Sequence, residues 1–338
     1  MPDPTTPASE ADAPDALARI ASDAATIGMP GGATIGLSAV AAGPETRRRR
    51  HGLGFAAWLS IAWLTFVIGG AILAPYLPID DPQEIINNIS RRGPFSKIGS
   101  APGHLLGGNG IGQDMLSRLL YAGRTTLVVA TVAVLIGFLL GGALGLLGGY
   151  FRGRVDTVVS LVLDVFLSIP AVILALALVT ILRAQPGTAG GNAGLDPEWA
   201  LIVALGIVSI PVLGRITRAS TLSWSQREFV LAAKAQGAKN RRIIFREVLP
   251  NVLPAMYSIA LLGIAVAIVA EGTLAILGAS VEASTPTWGN MIALGRNYLS
   301  VAPHIVFEPA LMIFFTVLAL NFLGDAIRAH FDVREGGL

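Results

Sequence analysis

Six apolar stretches, separated by polar segments, set the pattern of this chain. They cover residues 55–77, 127–147, 158–182, 199–216, 252–275 and 307–323. Each stretch falls within the range of about 17 to 25 residues that a helix needs to cross a hydrocarbon core about 30 Å thick. We therefore predict an all-α integral membrane protein with six transmembrane helices.

Basic residues predict which side of the membrane each polar segment occupies. Of the 24 Lys and Arg residues, 17 lie in the two termini, in the loop after the second stretch and from Arg215 at the end of the fourth stretch to Arg246, and 7 lie in the other polar segments. Because positive loops stay in the cytoplasm, we expect both termini to be cytoplasmic. The arginines at positions 47–50 are also a pattern that binds nucleic acid. Their position against the first apolar stretch favours membrane anchoring, so we expect lipid contact and no nucleic-acid partner.

The chain divides into a tail and a membrane domain. Residues 1–46 are rich in Ala, Pro, Asp, Thr and Gly, a composition that favours disorder. They lack a charged start followed by an apolar core, so we expect no cleaved signal peptide. We predict a disordered cytoplasmic tail with a basic anchor over residues 1–50 and a six-span domain over residues 51–338.

Composition and motifs exclude several function classes. The chain is 53% hydrophobic and 14% charged, whereas soluble domains carry about 25% charged residues. It has no cysteine, and its four histidines are far apart in the sequence. We find no H-E-x-x-H pair, nucleophile elbow or phosphate-binding loop. We therefore expect no catalytic site, metal or cofactor on this chain, and energy for driven transport would come from a partner or an ion gradient.

Four glycines recur every four residues in the second apolar stretch. They are Gly137, Gly141, Gly145 and Gly149. This spacing places them in one row along a helix face, and small residues let helix backbones approach closely in lipid. The row predicts tight helix packing, with a pore-lining role as the alternative.

Two carboxylates and a proline interrupt the apolar stretches. Asp164 and Pro170 lie in the third stretch, and Glu271 lies near the outer end of the fifth. A carboxylate at membrane depth costs about 2.5–3.5 kcal/mol on insertion scales and usually faces the protein interior. Asp164 is therefore either paired with a neighbouring helix or part of a gate or path. Pro170 should kink its helix. All three are candidates for a substrate path.

Residues 113–121 have the pattern of a short amphipathic helix before the second apolar stretch. One face carries Met115, Leu116, Leu119 and Leu120, and the other carries Asp114, Ser117 and Arg118. We expect this helix to lie on the outer membrane surface.

A basic, alanine-rich segment separates the fourth and fifth stretches at residues 222–250. Ala232, Ala233 and Ala235 favour a helix, Gly237 favours its end, and Asn240 is a candidate cap for a second helix. Charge alone is typical of a solvated loop. The small residues around one glycine favour a surface onto which another protein docks.

This segment and three others resemble motifs of one transporter family. The segment has Leu231-Ala232-Ala233, then Gly237, and ends in Val248-Leu249-Pro250, similar to the EAA motif, or coupling loop, of importer permeases. The other three segments are GGNGIGQDMLSR at residues 107–118, PTWGNM at 286–291 and NFLGD at 321–325. Together they resemble the C-type permease of the dipeptide, oligopeptide and nickel branch of binding-protein-dependent ABC importers over residues 50–335.

The resemblance implies an importer-type ABC permease fold and a set of partners. Those partners are a second permease, two cytoplasmic ATPase subunits or domains that bind ATP and Mg, and an extracytoplasmic substrate-binding protein. It also assigns ATPase coupling to one set of residues in the basic segment. That set is Glu228, Leu231, Ala232, Ala233, Ala235, Gly237 and Ala238.

Three positions depart from the family pattern. Leu231 replaces the motif glutamate, with Glu228 one turn earlier, while Gln113 replaces an arginine and Asn109 an aspartate. The first departure removes an expected acidic contact to the ATPase.

Two other function classes fit part of the pattern. An ion-coupled secondary transporter or channel would work without an ATPase, but it predicts inverted repeats and several ionisable residues near mid-span. A membrane-embedded enzyme would need a cluster of catalytic side chains. The sequence favours an ATP-driven importer permease for peptides or a related small solute in the bacterial plasma membrane.

Overall fold

The computed structural model describes residues 54–87, 89–94, 104–184 and 194–335, and regular structure over these ranges is helical. The helices are α1 (Phe55–Leu73), α2 (Met115–Phe151), α3 (Gly153–Ser168), α4 (Ala171–Arg183), α5 (Pro197–Trp224), α6 (Glu228–Ala235), α7 (Asn240–Ile243), α8 (Leu249–Ile276), α9 (Trp288–Gly295) and α10 (His304–Glu335). The tail predicted for residues 1–50 lies outside the described residues.

Five helical segments are long and apolar enough to cross a membrane, and the bent pair α3–α4 makes a sixth if it counts as one span. The all-helical prediction is confirmed. The predicted third span is a broken one, because α3 and α4 meet at an angle of 89°. Ile169 is extended at the break, as expected for a residue before proline, and Pro170 has no N–H to continue the helix.

The prediction of a surface helix at residues 113–121 is wrong. These residues lead into α2, which runs without a break from Met115 to Phe151. The Asp114 carboxylate caps α2 by accepting from the Ser117 N–H at 2.8 Å. Leu119 is buried, and its carbonyl accepts from the Trp288 indole at 3.0 Å. The amphipathic pattern therefore reflects packing of α2 against α9.

The glycine row of α2 lies against α5. A Cβ at Gly137 would stand 2.6 Å from the Ser209 Cβ, and one at Gly145 would stand 2.8 Å from the Arg218 backbone N. Gly141 and Gly149 meet the α5 backbone in the same way. The α5 backbone thus lies where side chains on this face of α2 would otherwise stand. Dispersion contacts of this kind drive helix association in lipid.

The bundle has two distinguishable ends. At the α9 end, Trp288 and Met291 pack with Met115 and Ile305. The α6 end carries α6, α7 and the last turn of α2. The two ends hold different loops.

We predict that Gly145→Ala destabilises the folded chain by about 1–3 kcal/mol, because the methyl group overpacks the α2–α5 contact. The readout is the thermal midpoint of the purified chain in detergent. Gly69→Ala is the matched control, since a Cβ at Gly69 meets no atom within 4 Å and the gain in helix propensity is the same. Equal midpoints for the two variants would contradict this account of the contact.

Candidate functional site: the α6–α7 segment and the membrane cavity

The α6–α7 segment, residues 228–243, is a short helical hairpin at one end of the bundle. Helix α6 ends in a Schellman motif: the Gly237 N–H donates to the Lys234 carbonyl at 3.0 Å, and the Ala238 N–H donates to the Ala233 carbonyl at 3.1 Å. Gly237 has φ +75° and open space around it. Glycine is therefore required here for its backbone conformation and not for lack of room.

Apolar side chains set the base of the segment into the bundle. Val230 of α6 and Ile243 of α7 are fully buried, and they pack with Val248, Tyr150 and Met256. Ala233 and Ala238 lie partly buried against the same cluster, which is the apolar contact that accompanies a Schellman motif. The hairpin is thus fixed to α2 and α8 rather than hanging from two flexible ends.

Tyr150, at the end of α2, adds a polar anchor. Its hydroxyl donates to the Asn240 side-chain oxygen at 3.0 Å. The Lys234 ammonium lies 5.3 Å from the centroid of the same ring. The prediction that Asn240 caps the second helix is wrong, because Lys239 holds the capping position. Asn240 instead joins α7 to α2 through Tyr150.

The opposite face of α6 is open. Glu228, Ala232, Ala235 and Gly237 are exposed, and Leu231 is 54% exposed. Beside them, Phe229 and Phe245 are also exposed. The residues assigned to coupling therefore divide into two sets. The exposed residues just named form an outer set, and Ala233 and Ala238 are the inner alanines. The outer set combines the Glu228 carboxylate with the apolar side chains of Leu231, Ala232 and Ala235, and it lies between the ends of two candidate spans. Exposed apolar side chains of this kind mark contact surfaces.

Ion pairs join α3 to α5 near the same end. Arg218 forms a two-bond contact with Asp156, one bond measuring 2.7 Å between Arg218 Nη2 and Asp156 Oδ2. Arg215 pairs with Asp164. Asp164 was expected to face the protein interior, but in the single chain it and Arg215 are each 59% exposed. Its partner lies on a neighbouring helix, as one of the two interpretations held.

The sequence did not predict most of these contacts between α3 and α5, which we call the α3–α5 ladder. Arg152 extends it by donating to the Ser225 hydroxyl at 3.2 Å. The signal was present, because Arg152, Asp156, Ser160 and Asp164 recur every four residues and so share one face of α3. The ladder links the α2–α3 corner to Ser225, the residue that directly follows α5.

A cavity of about 490 Å³ opens in the bundle among α3, α4, α5, α8 and α10. Its walls are mainly apolar, and its polar lining groups include Ser209, Ser258 and Asn321. None of the three residues proposed for a substrate path lines it. Pro170 lies between two lining residues, Ile169 and Ala171, and so shapes the wall indirectly.

Glu271 holds the α9 end together. It is fully buried. One carboxylate oxygen accepts from the Ser280 hydroxyl at 2.6 Å and from the Thr287 hydroxyl at 2.8 Å. Thr287 in turn caps α9. Glu271 therefore ties α8 to the loop that leads into α9.

Comparisons with known proteins agree with this architecture. Residues 133–336 match the family of the binding-protein-dependent transport system inner membrane component. A dipeptide transport system permease protein, DppC, of Alkalihalophilus pseudofirmus is 35% identical over 264 residues, which are 78% of this chain and 81% of that protein. A glutathione transport system permease protein, GsiD, of Pectobacterium atrosepticum is 34% identical, covering 70% of this chain and 74% of that protein.

A solved structure shares the fold. A chain of the inward-facing MetNI methionine ABC transporter aligns with a TM-score of 0.52 and 22% identity. The alignment covers 64% of this chain and 97% of that chain.

Proposed function

The chain belongs to the binding-protein-dependent transport system inner membrane components and is an ABC importer permease of the bacterial inner membrane, and on that premise we propose that it forms half of a translocation path for peptides or a related small solute. The similar proteins whose names give dipeptides and glutathione as cargo support this substrate class.

The α6–α7 segment is the proposed point of contact with the ATPase. One observation carries this proposal: α6 is locked to the bundle through buried Val230 while its Leu231 side chain projects outward. A projection of this kind fits into a cleft of a partner and transmits force without bending. Two cytoplasmic ATPase subunits or domains would bind ATP and Mg, one at each of two permeases.

Leu231 changes the chemistry of that contact. It stands where the family motif has a glutamate, and with Ala232 and Ala235 it gives the open face of α6 an apolar surface. Glu228 is exposed one turn earlier and keeps a carboxylate on the helix. We infer that apolar contact carries more of the ATPase docking here, with the acidic contribution moved to Glu228.

The remaining partners follow from the two ends of the bundle. The α6 end would face the cytoplasm with both termini, and the segment between α5 and α8 carries six of the Lys and Arg residues. The α9 end would face outward and receive the substrate-binding protein. The apolar cavity would open toward a second permease, since a path for a small solute needs walls on every side. ATP binding would then shift the pair between two arrangements.

Gly237→Val should abolish ATP-driven uptake in proteoliposomes and weaken association with the ATPases. A β-branched residue at φ +75° costs at least about 1–2 kcal/mol, so the end of α6 unwinds or moves. Gly237→Asn is the matched control, because asparagine tolerates this conformation, and it should retain most of the uptake. Normal uptake by a correctly inserted Gly237→Val protein would overturn the coupling assignment.

Lys239→Cys should be labelled by a membrane-impermeant maleimide only from the cytoplasmic side. The chain has no native cysteine, so this single thiol reports its own position. Ser300→Cys, in the exposed turn after α9, is the control and should react only from outside. Labelling of Lys239→Cys in intact cells would refute the proposed orientation.

A further inference from the structure

Arg118 is a buried cation without a counter-ion among the described residues. It is 3% exposed. Its one hydrogen bond within the described chain runs from Nη1 to the Pro82 carbonyl oxygen at 2.9 Å. A guanidinium has five N–H donors, and a buried charge is costly unless it is paired. Most of the hydrogen-bonding capacity of Arg118 is therefore unused within the described residues.

Among the described residues, no carboxylate forms an ion pair with Arg118. Asp114, one turn earlier on the chain, accepts from Ser117 N–H and contacts His104 Nδ1 at 2.9 Å. Glu282 precedes the lining residue Ala283 and accepts from the Ser284 hydroxyl at 3.3 Å. Neither carboxylate forms an ion pair with Arg118. The charge on Arg118 is thus available to a group that comes from outside the described chain.

Arg118 lines a cavity of about 450 Å³ at the α9 end. The walls come from the 109–113 loop, the start of α2, residues 283–284, the end of α9 and Ile305. This volume lies in the range of about 300–1,000 Å³ typical of ligand sites. The Asn297 side chain is exposed on the lining, and Ile111 and Leu294 are exposed beside it. The site therefore combines a buried cation with a partly apolar rim.

The Arg118 cavity is separate from the cavity in the bundle. The larger cavity is lined by α3, α4, α5, α8 and α10, and it shares no lining residue with the Arg118 cavity. A solute held by Arg118 would therefore not lie on the proposed translocation path. This separation favours an anchor for a protein over a subsite for cargo.

We propose that the Arg118 cavity binds an Asp or Glu side chain of the extracytoplasmic substrate-binding protein. The inference rests on the proposed function, which places the α9 end outside. A carboxylate matches the planar fork of a guanidinium with two parallel hydrogen bonds. Exposed Leu299 and Val301, directly after the lining residue Tyr298, extend an apolar surface around the charged centre. Interfaces concentrate binding energy in buried anchors of this kind.

The test is docking of the binding protein from the same transport system to the assembled transporter in nanodiscs. Fluorescence anisotropy of the labelled binding protein gives the Kd. Arg118→Gln should raise the Kd by about tenfold or more, because it leaves a buried carboxylate unpaired. Arg118→Lys, which keeps the charge but loses the fork, should give an intermediate Kd. Arg296→Gln removes an equal charge from an exposed position outside the cavity lining, and its Kd should stay near that of wild type.

A second variant keeps the test informative if Arg118→Gln fails to fold. Asn297→Asp places a carboxylate on the cavity lining, where it can pair with Arg118 and compete with the incoming side chain. It should raise the Kd without lowering the thermal midpoint, whereas Asn297→Ala should bind like wild type. A Kd for Asn297→Asp equal to that of Asn297→Ala, or for folded Arg118→Gln equal to that of Arg296→Gln, would overturn the proposal.

A further measurement distinguishes a carboxylate of the binding protein from the carboxylate of a cargo peptide. Free dialanine is titrated into the same nanodiscs without the binding protein, and Arg118→Gln should leave its binding unchanged. Loss of dialanine binding would assign the cavity to cargo and contradict the docking role. A wild-type transporter that neither binds the binding protein nor imports solute would instead refute the proposed function itself.

Discussion

The close contact between α2 and α5 is the constraint on which the rest of the structure depends. The glycine row of α2 brings the two backbones together over four turns, at positions where even a methyl group meets backbone atoms. The last turn of α2 then lies beside the last turns of α5. Tyr150 and Trp224, one on each helix, stand at the base of the α6–α7 segment. Side-chain contacts can fix that segment because the two helices beneath it are fixed first.

This arrangement explains how a short helix can carry force. An isolated helix of eight residues is unstable in water, and α6 has no long run of its own hydrogen bonds. Its stability comes from the Schellman end, from buried Val230 and from the Tyr150–Asn240 bond. The α3–α5 ladder extends the same body to the broken span through Arg152 and Ser225. A partner that moves α6 must therefore move several helices with it, as a switch between two packed states requires.

The sequence predicted features that depend on local composition. Apolar length gave the spans, Pro170 gave the break, and Gly237 gave the end of α6, because each effect acts within a few residues. Features that depend on distant partners were not predictable. The buried position of Arg118 involves the Pro82 carbonyl, 36 residues earlier, and polar residues on one face of a helix are equally typical of a membrane surface. Asn240 lost its predicted capping role to a bond with Tyr150 for the same reason.

Residues 113–121 show why an amphipathic pattern is ambiguous in a membrane protein. Their apolar and polar faces predict lipid on one side and water on the other. In the structure both faces meet protein: Leu119 packs on the α9 side, and Ser117 donates to the Asp80 carbonyl at 2.6 Å. An amphipathic period reports that two environments differ. It does not report that either one is solvent.

Distance measurements between spin labels in the assembled transporter test most directly the claim that α6 moves with the bundle as one body. One label at Gln236→Cys marks the end of α6, and one at Leu139→Cys marks the exposed face of α2. ATP binding should leave the distance between these two labels unchanged while the distance from Gln236→Cys to the second permease shifts. A shift within the chain as large as the shift between the two permeases would contradict the account.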